Sequence, residues 1–112
     1  SLQWGSSSLT QYDGTSIAQN QDIVFVSFNY RLNAFGFPSA PDLPLASNNL
    51  GYLDQEAAFR WVQDNIAAFG GDKSKVTIMG QSAGSLSVSE AIMRHSPDSA
   101  PFRAGIMLSG AT

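Results

Sequence analysis

The chain has 112 residues, enough for one small domain with a modest core. Its net charge of −3 and pI near 4.7 exclude the basic footprint of a nucleic-acid binder. Charged residues make up only 13%, about half the ~25% usual in a soluble chain, so this stretch is expected to be covered largely by other parts of a bigger protein.

No apolar run approaches the ~18 residues of a membrane span. Ser1 to Thr10 has neither the basic start nor the apolar run of a signal peptide, so any targeting segment is expected upstream. With no cysteine there is no disulfide framework and no thiolate metal site. No Asn-x-Ser/Thr sequon occurs.

Ser6-Ser7-Ser8 and Tyr12-Asp13-Gly14 read as turns. Ile23 to Phe28 is an apolar, mostly β-branched or aromatic run without alternation, which suits a strand buried on both faces of a parallel sheet. Asn33 to Asn49, with Pro38, Pro41 and Pro44, reads as a long irregular connection. Asp54 to Ala68 is predicted helical. Its apolar stripe is Ala58, Trp61, Val62, Ile66 and Phe69, with Asp54, Glu56 and Asp64 on the solvent side and Gly70-Gly71 as the stop. Lys75 to Met79 and Ala104 to Ser109 are two further strands. They flank a helix from Ala83 to Arg94 that ends before Ser96-Pro97. Strand, helix, strand, helix, strand predicts an α/β fold, with parallel strands alternating with helices.

Gly80-Gln81-Ser82-Ala83-Gly84 is a G-x-S-x-G pentapeptide set between a predicted strand and a predicted helix, as a nucleophile elbow requires. A sharp turn there would lift the Ser82 hydroxyl clear of the sheet. Gly80 and Gly84 would let strand and helix approach closely. The Ala83 N–H, at the start of the helix, would be free to donate to an oxyanion. A plainer reading makes Ser82 only a helix N-cap.

Phe69 to Gly84 reads FGGDKSKVTIMGQSAG and resembles the active-site signature of the type-B carboxylesterase and lipase family, the cholinesterase-like serine esterases. Phe69, Gly70, Gly71, Val76, Ile78, Gly80, Ser82, Ala83 and Gly84 match its fixed positions. Val26 to Leu32 with Phe35-Gly36-Phe37, Asn49 to Gln55, and Trp61 to Ile66 resemble neighbouring stretches of the same family. The look is nearest to the fungal esterases and lipases. The resemblance implies that residues 1–112 are a partial α/β-hydrolase domain, a central piece lacking N-terminal and C-terminal parts. It implies carboxylic ester hydrolysis through an acyl-enzyme on Ser82, with Ala83 as one oxyanion donor. Gln81 takes a variable, non-catalytic place. No metal or organic cofactor is implied. The expected partners are a small-molecule or lipid ester and the remainder of the parent polypeptide, and relatives of this kind are usually secreted.

The same resemblance implies a catalytic acid and a histidine far downstream of the nucleophile. The chain's one histidine, His95, is expected as a solvated residue at a helix C-terminus, and Asp54, Glu56 and Asp64 as helix-surface residues. Asp13 and Asp72 read as turn residues, and Asp98 as a loop residue. None is assigned to a triad. The family's oxyanion glycines precede a stretch like Leu2 to Ser6, and Ser1 stands where the last of them is expected. Two further readings stand beside the enzyme: an inactive fragment, and a non-enzymatic adhesion or scaffold relative of the same fold.

Overall fold

The computed structural model describes residues 1–110. Six regular elements follow in order: α1 (Thr15–Gln21), α2 (Asn33–Gly36, one turn), α3 (Leu50–Asn65), β1 (Thr77–Gln81), α4 (Ala83–Arg94) and β2 (Ala104–Leu108). β1 and β2 pair in parallel, with Thr77 beside Ala104 and Gln81 beside Leu108. This βαβ unit is what the sequence predicts, with α4 at the predicted bounds. β1 begins two residues later than predicted. Asp72 Oδ1 accepts from the N–H of Ser74 (2.9 Å) and from its hydroxyl (2.7 Å), which folds Lys73–Lys75 into a 3-10 turn.

Ile78 points from β1 into a small core with Val88 and Ala91 of α4, and Phe59 of α3 and Phe102 close it. The aromatic rings continue outward, Phe102 to Phe59 (5.9 Å, edge-on) and Phe59 to Phe28 (6.3 Å, edge-on). The opposite face of the sheet is uncovered: Met79 is 50% exposed and Ile106 45%. The accessible surface is 7576 Å², against roughly 6,000 Å² for a self-contained domain of this mass. These residues therefore leave apolar faces open, in keeping with the low charge content.

Ile23 to Phe28, predicted as a strand, has no strand pairing among the described residues. A ladder needs a neighbour for its N–H and C=O groups, and no described segment pairs with this one as a strand. Ile23, Val24, Val26 and Phe28 are all exposed. The 33–49 connection is more ordered than predicted. Asn48 holds it by accepting from the Ala40 N–H (2.8 Å) and donating to the carbonyl of Ala40 (3.2 Å).

The inner face of α3 differs from the apolar stripe read in the sequence. Ile66, just beyond its end, is buried as predicted. Trp61 and Phe69 are instead exposed and rest on each other, with ring centroids 5.8 Å apart. The buried side chains include Gln55 and Glu56. Polar groups survive there because each has a partner. Gln55 Nε2 donates to Ser87 Oγ (3.1 Å). Glu56 Oε2 lies 2.9 Å from His95 Nε2, and Glu56 Oε1 lies 3.8 Å from Arg94. Gln63 Nε2 donates to the carbonyls of Lys73 (2.9 Å) and Pro101 (2.8 Å). Glu56 is thus not a helix-surface residue, while Asp64 is exposed as expected. Gly70 ends the helical run in the left-handed conformation (φ 82°), the stop expected there.

Arg31 fastens the preceding loop to α3. Its guanidinium grips Asp54 with two bonds of 2.7 Å, and its backbone N–H adds a third of 2.9 Å. These bonds hold the Asp54 carboxyl below its ordinary pKa, the guanidinium contact being the largest cause. A lowered pKa in the folded state stabilises above the unfolded value of about 3.9 and ceases to do so as pH falls through the folded value. In the full-length protein, Asp54→Asn is expected to cost about 1 kcal/mol or less at pH 7, since the pair is partly exposed. That deficit should shrink from pH 5 towards pH 3, as urea titrations across the range would record. A deficit independent of pH would rule out the ionic contribution.

Candidate active site

Ser82 joins β1 directly to α4, with no residue to spare between strand and helix. Its backbone lies at φ 55°, ψ −116°, outside every ordinary basin of an L-residue. Such a conformation costs of order 1–3 kcal/mol and persists only when its surroundings enforce it. Here they do. The Ser82 N–H donates to the Leu108 carbonyl (2.9 Å), which carries the parallel ladder one step past β1. The Ser82 carbonyl accepts from the Leu86 N–H (3.1 Å). Ser85, fully buried, donates its hydroxyl to the Gly110 carbonyl and so ties the first turn of α4 to the segment after β2.

Gly80 has a steric reason. A Cβ there would lie 2.1 Å from the Gly84 carbonyl oxygen and 2.2 Å from its carbon, both backbone atoms. Strand end and first helical turn touch at this point. Gly84 contributes its own backbone to that contact. A Cβ on Gly84 itself meets nothing within 4 Å among the described residues, so the close approach rests on Gly80 rather than on both glycines. Gln81 is exposed at the last position of β1.

Although Ser82 occupies the N-cap position of α4, its side chain makes no capping hydrogen bond. The plain N-cap reading fails on that point. The residue is exposed, and a hydroxyl uncommitted to the helix is the form a nucleophile would need. Ala83 opens α4, half-buried. Its N–H is among the first of the helix, with no carbonyl four residues back inside it, and it sits at the positive end of the helix dipole.

The other predicted residues lie elsewhere. His95 is at the far end of α4, roughly 18 Å along the helix from Ser82 at ~1.5 Å per residue. It is not the solvated residue expected: its side chain is 21% exposed, bonded to Glu56 and edge-on to Phe102 at 5.8 Å. The helix end is held by this part-buried pair, in addition to any dipole effect. Asp13 and Asp72 are turn residues as expected, each accepting from the N–H two positions on. The Ser1 carbonyl accepts from the Tyr30 hydroxyl (3.5 Å) and the Leu2 carbonyl from the Asn33 N–H (2.8 Å). Sequence reading missed Ser85 and Ser87. Their signal was available: they share a helix face with Val88 and Ala91, where a serine must find a partner.

No group of His, Cys, Asp or Glu able to hold a metal ion occurs among the described residues. No described helix is long and apolar enough to cross a membrane.

The model of the carboxylesterase family matches residues 1–112. The chain is 50% identical over 107 residues to an acetylcholinesterase of Electrophorus electricus, covering 95% of this chain and 17% of that protein. It is 46% identical over 112 residues to a cholinesterase of Mus musculus, covering 99% of this chain and 18% of that one. It therefore spans less than a fifth of the length of these curated relatives, and both are animal cholinesterases, although the sequence looked nearest to fungal enzymes. A family match over every residue, relatives at this identity, and a parallel βαβ unit of the kind an α/β-hydrolase contains together show that the chain belongs to the carboxylesterase family.

Proposed function

We propose that the protein carrying this chain hydrolyses carboxylic esters with Ser82 as nucleophile. The observation that carries this reading is the backbone of Ser82, held at φ 55° between strand and helix with its hydroxyl uncommitted to the helix. Strain of this kind is retained where function requires it.

The steps follow from the chemistry of the groups. A base outside this chain takes the Ser82 hydroxyl proton, and the oxygen attacks the ester carbonyl carbon. The carbonyl electrons move onto its oxygen, and the Ala83 N–H donates to that oxyanion. Collapse expels the alcohol, which receives the proton from the base, and leaves an acyl group on Ser82. Water, activated by the same base, then releases the acid and restores the hydroxyl. The base is not His95, which is bonded to Glu56 at the other end of α4. Both relatives are named for choline esters, and that substrate class is the first to try. A short-chain acyl ester and a triglyceride are the comparisons.

A fluorophosphonate probe applied to the full-length protein tests the reading. It is expected to phosphonylate Ser82, seen by mass spectrometry as a modified peptide spanning Gln81 to Ala83. Labelling at another serine, or none, would overturn it.

A further inference from the structure

The first turn of α4 has an unusual composition for a place that must be rigid. Ser82 is strained, Ala83 carries the proposed oxyanion donor, and Gly84 follows. Glycine gives the backbone more freedom than any other residue. Nothing within 4 Å of a Cβ on Gly84 explains its absence among the described residues, so no side chain at this position steadies the turn. A shift of about 1 Å in a catalytic group is enough to cost on the order of 100-fold in rate. The peptide unit that carries the Ala83 N–H is held through the Ser82 carbonyl by Leu86, and the next unit, from the Ala83 carbonyl to the Gly84 N–H, needs a fastening of its own.

One is present. Ser87 Oγ donates to the Ala83 carbonyl at 3.1 Å, in addition to the ordinary helical bonding of that turn. A serine hydroxyl bonded back in this way has other rotamers available. Here Gln55 selects one: its Nε2 donates to Ser87 Oγ at 3.1 Å. Gln55 is 6% exposed and Ser87 7%, so the bond between them is shielded from water, while the bond to the Ala83 carbonyl is part-buried. Gln55 stands on α3, a 16-residue helix fixed at its start by Arg31 and Asp54. The chain of bonds thus runs from α3, through Ser87, to the carbonyl of the residue whose N–H faces the proposed oxyanion.

We propose that Gln55 is a positioning residue for the oxyanion donor, acting through Ser87 on the Ala83 carbonyl, in the peptide unit next to the one that carries the donor N–H. It touches no substrate. Its contribution is to hold the first turn of α4 in the one orientation that aims the Ala83 N–H at the reacting carbonyl. This rests on the reading of Ser82 as nucleophile.

The test uses the full-length protein. Gln55→Met keeps the side chain's volume and removes its donor, and Ser87→Ala removes the hydroxyl between them. The readouts are kcat and KM on a short-chain p-nitrophenyl ester, and Ki for an aryl boronic acid that forms a tetrahedral adduct on the nucleophile. Each variant is expected to lower kcat about 10-fold and to weaken the boronic acid about equally, with KM changed less than about twofold. The double variant should be no worse than the poorer single, because both cut the same chain of bonds. Unchanged kcat and Ki with a lowered Tm would reduce Gln55 to a packing residue and overturn the proposal. Additive losses would overturn the route through Ser87. Should Gln55→Met fail to fold, Ser87→Ala decides alone: unaltered kcat and Ki reject the fastening. The unmutated enzyme separates the two readings. If the fluorophosphonate does not label Ser82 there, the nucleophile reading itself falls. If it does and the variants match the wild type, only the role of Gln55 falls.

Discussion

Ser82→Ala in the full-length protein is expected to lower kcat for ester hydrolysis by about 10⁵–10⁶-fold, the scale on which removal of a triad serine acts in other hydrolases. The loss is large because the nucleophile and its base act as one unit, and neither is useful alone. What survives should be the ~10³–10⁴-fold over water that oxyanion donors and binding supply by themselves. Stability should behave differently. Ser82 is exposed and its hydroxyl makes no cap bond, so deleting it removes no buried interaction. Ser82→Gly is the informative companion. It removes the Cβ that makes φ 55° costly, and should raise stability by about 1 kcal/mol or more while being equally inactive. Steady-state kinetics and thermal unfolding on the three proteins measure both. More than about 1% residual kcat in the alanine variant would sink the nucleophile assignment. A glycine variant no more stable than wild type would remove the evidence for stored strain.

The strand, turn and helix around Ser82 were legible in the sequence because everything that makes them is local. A short β-rich run, a small-residue turn and a helical pattern adjoin within about twenty residues, and α4 begins and ends where the pattern says. The inner face of α3 was not legible, for a physical reason. Hydrophobic periodicity assumes that what is buried is apolar. Gln55 and Glu56 are buried because Ser87 and His95, more than thirty residues on, satisfy them. No spacing rule within the helix can report a partner on another element. The same assumption placed Trp61 and Phe69 inside, where they would complete an apolar stripe. They lie outside because the stripe that meets α4 runs through Gln55, Glu56 and Phe59. Ile23 to Phe28 shows the converse. Its composition states a preference for a sheet, but a strand is a relation between two segments, and none of residues 1–110 supplies the other. α1 was missed because its sequence, Thr-Ser-Ile-Ala-Gln-Asn-Gln, has no apolar stripe, and none of its residues is buried.

Gly80→Ala should have the second largest effect, and on both stability and activity. The new methyl would stand 2.1 Å from the Gly84 oxygen, 2.2 Å from its carbonyl carbon and 2.8 Å from its Cα. These are backbone atoms, so no rotamer change relieves the clash. Either the end of β1 retreats, breaking the ladder that pairs Gly80 with Met107 and Gln81 with Leu108, or the first turn of α4 does, taking Ser82 and Ala83 with it. Overpacking in a close-packed interior costs ~1–3 kcal/mol and occasionally more, and an immobile backbone partner belongs at the upper end. Any variant that still folds carries Ser82 displaced, and if Ser82 is the nucleophile proposed above its kcat should fall by about 100-fold or more. Gly84→Ala is the control. Its methyl meets nothing within 4 Å among the described residues, and alanine is favoured over glycine inside a helix by ~1 kcal/mol. Its stability should be unchanged or raised. Thermal unfolding of the two full-length variants therefore discriminates by sign: Gly80→Ala down by about 3 kcal/mol, Gly84→Ala level or up. Equal losses at both positions would mean that the contact between strand end and helix start does not depend on which of the two residues lacks a side chain, and the one-sided steric account of this strand-to-helix turn would have to be abandoned.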